Sequence, residues 1–177
     1  MDILTTLLII PLIGAAFILF IDKNQVKVIK IGGILFSSLT FLTSLIIFFK
    51  YDSTNPSLQF QYKASWIPAL NISYNVGIDG LSILLVILTT FLTPIALLSS
   101  WASIEKRLKE YTIMMLALEI GMLGVFIAVD LFLFYVFWEA MLIPMYFIIG
   151  IWGGLNRIYA ALKFFLYTML GSLLMLI

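Results

Sequence analysis

Glu119, Glu139 and Lys163 stand inside long apolar runs of this 177-residue chain. Placing a charge at the middle of a bilayer costs about 2.5–3.5 kcal/mol on insertion scales, so such residues face protein or a wet path rather than lipid. A carboxyl stripped of water favours its neutral form, and a nearby cation favours the ionised one. A buried Glu with a basic neighbour can therefore alternate between holding and releasing a proton. The chemistry open to these three side chains is proton relay, with Glu139 first, then Glu119, then Lys163. The competing reading is structural: a neutral carboxyl bonded to a backbone carbonyl or a Ser/Thr hydroxyl, locking two helices together.

Spacing sharpens the reading. Glu119 lies eleven residues before Asp130 and Glu139 nine after it. If Asp130 is a turn, an antiparallel helix pair carries both carboxyls at nearly one depth, about 13–17 Å from that turn. Pro144 follows Glu139 by five residues and lacks the N–H that would bond the Ala140 carbonyl, so a free acceptor, a kink and room for a water fall beside the carboxyl. The alternative is that Pro144 only shapes packing, as Pro11 and Pro94 are expected to do. Lys163 and Glu139 lie on either side of Gly153-Gly154 at depths differing by roughly 9 Å, so a direct pair is not expected. Lys163 either snorkels to the interface or feeds a path from the inner side. Asp79, within Tyr74 to Ser82, reads as a helix-start residue, and Asp130 as a turn residue.

These side chains need elements that cross a bilayer, and a core of about 30 Å takes about 20 apolar residues of helix. Six runs meet that length or nearly so: 3–21, 31–49, 80–100, 111–129, 131–151 and 158–177. The predicted fold class is an all-α polytopic membrane protein. Short polar connections join the spans, except for one longer segment, 50–77, where Pro56, Pro68, Asn71 and Asn75 stand among Phe60, Tyr62, Trp66 and Tyr74. That segment reads as an interfacial loop able to hold a short hairpin. The expected division is residues 1–110, with helices 1–3 and this loop, and residues 111–177, with helices 4–6.

Lys23, Lys27, Lys30, Lys106, Arg107, Lys109 and Arg157 fall in alternate connections, and only Lys50 and Lys63 in the others. This bias puts the N-terminus on the outer side. Asp2 replaces the basic start of a signal peptide and no small-residue cleavage site follows Phe20, so the first span is expected to stay. The last run reaches Ile177 with no aromatic or basic anchor, as a truncated span does.

Composition removes other functions. Hydrophobic residues make up 63% of the chain and charged ones 11%, far from the balance of a water-soluble domain. A net charge of +1 gives no basic field for nucleic acid. The chain has no Cys and no His, which excludes disulfides, thiol chemistry, Cys/His zinc sites, imidazole catalysis and His-ligated haem. Any redox centre belongs on another chain.

The run from Glu119 to Phe126, the run Asp130-Leu-Phe-Leu-Phe-Tyr-Val-Phe-Trp-Glu-Ala-Met-Leu-Ile-Pro-Met-Tyr146, then Trp152-Gly-Gly154, Ala160 to Thr168 and Gly171-Ser172 together resemble the M subunits of the proton-pumping NADH:quinone oxidoreductases, respiratory complex I. Tyr74 to Ser82 and Thr89 to Pro94 resemble the third span of the same family. The resemblance implies an antiporter-like module of about fourteen helices built from two inverted repeats, with only the first six here. It implies that Glu139 is the fifth-helix glutamate central to proton translocation, Glu119 the acidic residue of the fourth helix, and Lys163 a basic position of the sixth. The family's pumping lysines would lie beyond Ile177, so this length of chain alone should not pump. No cofactor is expected on the chain itself, with FMN, iron-sulfur clusters, NADH and quinone on other subunits. Partners are expected to be other membrane-arm subunits, including the L and N antiporter-like ones, and the lipid bilayer. The expected location is a bacterial inner membrane, or alternatively an organellar inner or thylakoid membrane.

Two further readings remain open from the residues: a subunit of a multisubunit Na⁺/H⁺ antiporter or of an energy-converting hydrogenase, and a structural membrane subunit whose carboxyls are glue between helices.

Overall fold

A computed structural model describes residues 2–55, 57–68 and 72–176. Pro56, Asn71 and Ile177, singled out above, lie outside the described residues. The elements run α1 (Ile3–Phe20), α2 (Val26–Lys50), β1 (Gln59–Ile67), β2 (Ile72–Ile78), α3 (Gly80–Ser99), α4 (Leu108–Ile127), α5 (Leu131–Trp152) and α6 (Arg157–Leu176). Six of these are helices long and apolar enough to cross a membrane. Each closes its backbone hydrogen bonds within itself, which is what a solvent without donors or acceptors demands.

The helix boundaries match the apolar runs to within a few residues, with one larger departure. The second helix starts at Val26, five residues before the run read from hydropathy, so Lys27 and Lys30 belong to the helix and not to a loop. The reason is packing below the charges: Ile29, Gly32 and Gly33 are buried on one face of that first stretch, while Lys30 reaches out to donate from Nζ to the Trp101 carbonyl at 2.5 Å.

Helix α4 is the hub, packing against α1, α2, α3 and α5, whereas α6 leans chiefly on α5. Its contacts are close because small residues admit them. A Cβ added at Gly124 would stand 2.2 Å from the Phe137 ring, one at Gly121 would stand 3.0 Å from Met141 Cβ, and one at Gly33 would stand 2.4 Å from Thr112 Cγ2. Gly124→Ala is therefore expected to force Phe137 aside and spread α4 from α5. The cost is about 1–3 kcal/mol, read as a lowered thermal midpoint in detergent. An unchanged midpoint would mean the seam has slack.

Several Ser and Thr hydroxyls inside the spans are satisfied by their own helices: Thr40 donates to the Phe36 carbonyl at 2.9 Å, Thr93 to Thr89 at 3.0 Å and Thr112 to Leu108 at 3.0 Å. Ser44 and Thr90 also pair across α2 and α3 at 2.7 Å. Pro11 and Pro94 are buried within continuous helices, as packing residues are, and Pro144 is likewise buried within α5.

The long loop does hold a hairpin. Strands β1 and β2 pair antiparallel, with Tyr62 opposite Val76 and Ala64 opposite Tyr74, and two irregularities bend the ribbon. Phe60, at φ 53°, lies in the first of them. The hairpin is clamped on one end of the bundle. The Val129 N–H donates to the Asn75 carbonyl at 2.9 Å, Val76 bridges Ala128, and the Thr5 and Tyr74 hydroxyls pair at 3.1 Å. Val76 and Ile78 thereby join the apolar core of Leu4, Leu7, Leu123 and Ile127.

Candidate functional site

The two ends of the bundle differ in chemistry. At one, Lys109 Nζ donates to the carbonyls of Leu19, in the last turn of α1, at 2.8 Å and of Ile21, just past its end, at 2.7 Å, and Arg157 donates to the Ile151 carbonyl near the end of α5 at 3.0 Å. These cations cover the electronegative ends of helices whose final carbonyls lack partners. Trp152 Nε1 donates to the Lys106 carbonyl at 2.9 Å at the same end. All seven basic residues of the alternate connections gather here, and Lys50 and Lys63 stand at the hairpin end.

At the hairpin end two aspartates start helices. Asp79 accepts from the Leu81 and Ser82 N–H groups at 3.1 and 2.7 Å, and Asp130 from Phe132 and Leu133 at 2.9 and 3.2 Å. The Ser82 N–H bond holds the Asp79 carboxyl below the usual carboxylate range. Both are N-caps, as the spacing predicts for Asp79; the Asp130 turn is the same residue capping α5.

Between these ends lie the carboxyls. Glu119 is 0% exposed and neither of its carboxyl oxygens has a hydrogen-bond partner. Its neighbours along α4 belong to two apolar clusters, Leu108 and Leu116 to one, Leu123 and Ile127 to the other. It stands at their junction, on the side of α4 turned to the first three helices. Helices α2 and α3 bring a set of buried hydroxyls to this part of the bundle, Ser37, Thr40 and Ser44 from one and Thr89, Thr90 and Thr93 from the other. Sequence reasoning missed that set. Its signal is present, since Ser37, Thr40 and Ser44 recur at helical spacing along one face.

Glu139 is half-buried on α5, and its Oε1 accepts from the Ser172 hydroxyl of α6. Tyr135, one turn earlier, places its phenol against both the carboxyl and that serine. Neither residue was reached from spacing, because nothing local marks which face of α5 meets α6. Trp138 Nε1, also beside this site, is buried without a partner. Trp138 and Ser172 line a groove of about 240 Å³ with Tyr167, Thr168, Gly171 and Met175.

The two carboxyls do not meet. With Gly121 against Met141 and Gly124 against Phe137, the level of Glu119 on α5 falls near position 143, so Glu139 lies about 6 Å nearer the hairpin end. Both also point away from the α4–α5 seam, since each sits about 140–200° around its helix from the residues that form it. The spacing places Glu139 about 3 Å nearer that end than Glu119, so the observed separation is about two residues larger. The cause is a register set by glycine contacts rather than by counting from the turn. Lys163 is exposed on α6, with Nζ 5.7 Å from the centre of the Tyr159 ring, and lies nine residues, roughly 13 Å of helix, from Ser172. It does not pair with Glu139, as expected. Among the described residues the one ion pair is Arg107 with Glu110 at 3.5 Å, on the surface.

Comparison with known proteins agrees with this architecture. A family model described as NADH-ubiquinone oxidoreductase chain 4, amino terminus, matches residues 5–128. A second, NADH:quinone oxidoreductase/Mrp antiporter, TM, matches residues 128–177. The NADH-ubiquinone oxidoreductase chain 4 of Arabidopsis thaliana is 46% identical over 175 residues, covering 98% of this chain and 35% of the relative. The NADH-quinone oxidoreductase subunit M of Rhodobacter capsulatus is 47% identical over 180 residues, covering 99% and 35%. The solved structure of respiratory complex I from Thermus thermophilus with bound NADH contains a chain that matches with a TM-score of 0.80 at 31% identity, covering 99% of this chain and 34% of that one. The membrane-bound sulfane sulfur reductase, an archaeal respiratory membrane complex, shares the fold, with a TM-score of 0.79 at 20% identity over 96% of this chain. The chain spans about a third of the length of the relatives it matches. Six apolar helices, a glutamate buried among the first four of them, a hairpin clamped across one end and a sequence match along almost the whole chain have one account: this chain belongs to the family of NADH-ubiquinone oxidoreductase chain 4, whose bacterial relatives are called subunit M.

Proposed function

We propose that this chain serves as the amino-terminal part of a membrane-arm subunit of a proton-translocating NADH:quinone oxidoreductase, with Glu139 as its proton-carrying group. The observation that carries the reading is the sequence match at 46–47% identity across 98–99% of the chain to relatives that bear that name. Glu139 supports it independently. It is an ionisable group inside a span, half-buried, with its Oε1 held by the Ser172 hydroxyl of α6, whose other side lines a groove. Electron transfer from NADH through flavin and iron-sulfur clusters to quinone takes place on other subunits in this reading, and the chain supplies part of the coupled proton path. Residues 111–177 begin the translocating part. Glu119 is the second proton site and Lys163 a basic group on the entry side. The L and N antiporter-like subunits are its neighbours, in a bacterial inner membrane or its organellar counterpart. The basic end faces inward, which sets the N-terminus and the hairpin outside.

The test is to tag the full-length chain in native membranes, purify it in mild detergent and identify what accompanies it. Flavin and iron-sulfur subunits are expected in the purified assembly, together with NADH:quinone reductase activity. An assembly that holds only cation-antiporter chains and has no such activity would overturn the reading.

A further inference from the structure

The Ser172 hydroxyl has one proton and two acceptors within reach. On one side is Glu139 Oε1; on the other is the Met169 carbonyl, at 2.9 Å, one turn back along α6. A hydroxyl donates one hydrogen bond and accepts two, so it cannot donate to both at once. If Glu139 is ionised, the stronger, charge-assisted bond takes the serine proton and the Met169 carbonyl keeps only its helix partner. If Glu139 is protonated, its own O–H donates to Ser172 Oγ, and the serine proton is free for Met169. The two bonds then run in one direction and polarise one another. Ser172 Oγ and Glu139 Oε1 stay bonded in both states, which differ by one proton added to the carboxyl and one rotation of the serine hydroxyl about its Cβ–Oγ bond.

We propose that Ser172 is a positioning residue for Glu139, whose hydroxyl reverses from donor to acceptor each time the carboxyl takes up a proton and so holds both protonation states inside the bilayer. The inference rests on the reading of Glu139 as the proton-carrying group. Several observations set this serine apart from the other span hydroxyls. Thr40, Thr93 and Thr112 donate only to their own helices, and Thr5, Ser44 and Thr90 reach other elements only to meet a hydroxyl, whereas Ser172 faces a carboxyl from a neighbouring helix. It is 5% exposed, and it lines a groove beside Trp138. The other titratable group facing the pair is Tyr135, on the same helix as Glu139. Lys163 is displaced by roughly 13 Å along α6.

The experiment compares Ser172→Ala, Ser172→Thr and Glu139→Gln in the full-length chain within its assembled membrane complex. It follows two readouts: NADH-driven proton uptake into vesicles, and the infrared carboxyl-stretch band that Glu139→Gln removes. Ser172→Ala deletes one oxygen and is expected to slow uptake at least tenfold. It should also move the band to higher wavenumber, since the protonated carboxyl has lost its acceptor. Ser172→Thr keeps the hydroxyl and is expected to retain both rate and band position. Ser172→Cys keeps the volume with a weak donor and is expected to fall between, which preserves the test if the alanine variant assembles poorly. Unchanged uptake and an unmoved band in Ser172→Ala overturn the inference while leaving the Glu139 reading intact, provided Glu139→Gln is impaired. Equal slowing in Ala and Thr with the band unmoved assigns Ser172 to packing and also overturns it. Unimpaired Glu139→Gln removes the reading beneath it and the inference together.

Discussion

Glu139→Gln, made in the full-length subunit of an assembled complex, is expected to abolish the proton transfer carried by this module while leaving the protein folded. Glutamine has the same length and still accepts from Ser172 through its amide oxygen, so the α5–α6 contact made by Glu139 Oε1 is kept. What disappears is the ability to take up and release a proton. A positioned proton donor or acceptor is worth about 10²-fold or more in the step it serves. Proton uptake per electron in vesicles should fall accordingly, with quinone reduction falling alongside it where transport and electron flow are tightly coupled. Glu139→Asp keeps the acid but withdraws it by one methylene from Ser172, and is expected to retain part of the uptake. If the Gln variant moves protons at the normal ratio, Glu139 is glue between α5 and α6 and the relay runs elsewhere.

The second large effect concerns Glu119, and here stability and activity should move in opposite directions. Both carboxyl oxygens are fully buried without a partner between two apolar clusters, a placement that costs about 1–3 kcal/mol of stability for an unmet polar group. Glu119→Leu is close to the original volume and removes the polar oxygens. It is expected to raise the thermal midpoint in detergent by a few degrees while lowering NADH-driven proton uptake. Glu119→Gln leaves an orphan amide and should not raise the midpoint. A stabilising substitution that impairs transport is the signature of a group kept for function at a structural cost. A lowered midpoint in the leucine variant would show that Glu119 holds helices together. Unchanged uptake in both variants would take it off the path.

The sequence alone legislated the membrane crossings, the two ends and the starts of α3 and α5. In a bilayer each span must close its own hydrogen bonds, so about 20 apolar residues suffice to define it without reference to any other part of the chain. Asp79 and Asp130 could be read as initiating residues because their partners are two and three positions away. The basic residues could be sorted to one end because alternate connections must share a side. The start of α2 was misplaced because Lys27 and Lys30 made a helical stretch look like a loop.

Only the tertiary structure decided what each buried carboxyl faces. In a water-soluble helix an apolar stripe marks the side turned inward, but lipid tails are as apolar as Leu, so a span can be hydrophobic all round and carry no such mark. Rotation about the helix axis is then set by close contacts between distant residues, Gly124 on Phe137 and Gly121 on Met141. Those contacts turn Glu119 toward the first three helices and Glu139 toward Ser172, a partner 33 positions away. The presence of two acids inside the membrane is written in the order of the residues. Their separation, and the hydroxyl that serves one of them, follow from small residues that let helices approach on one face and not another.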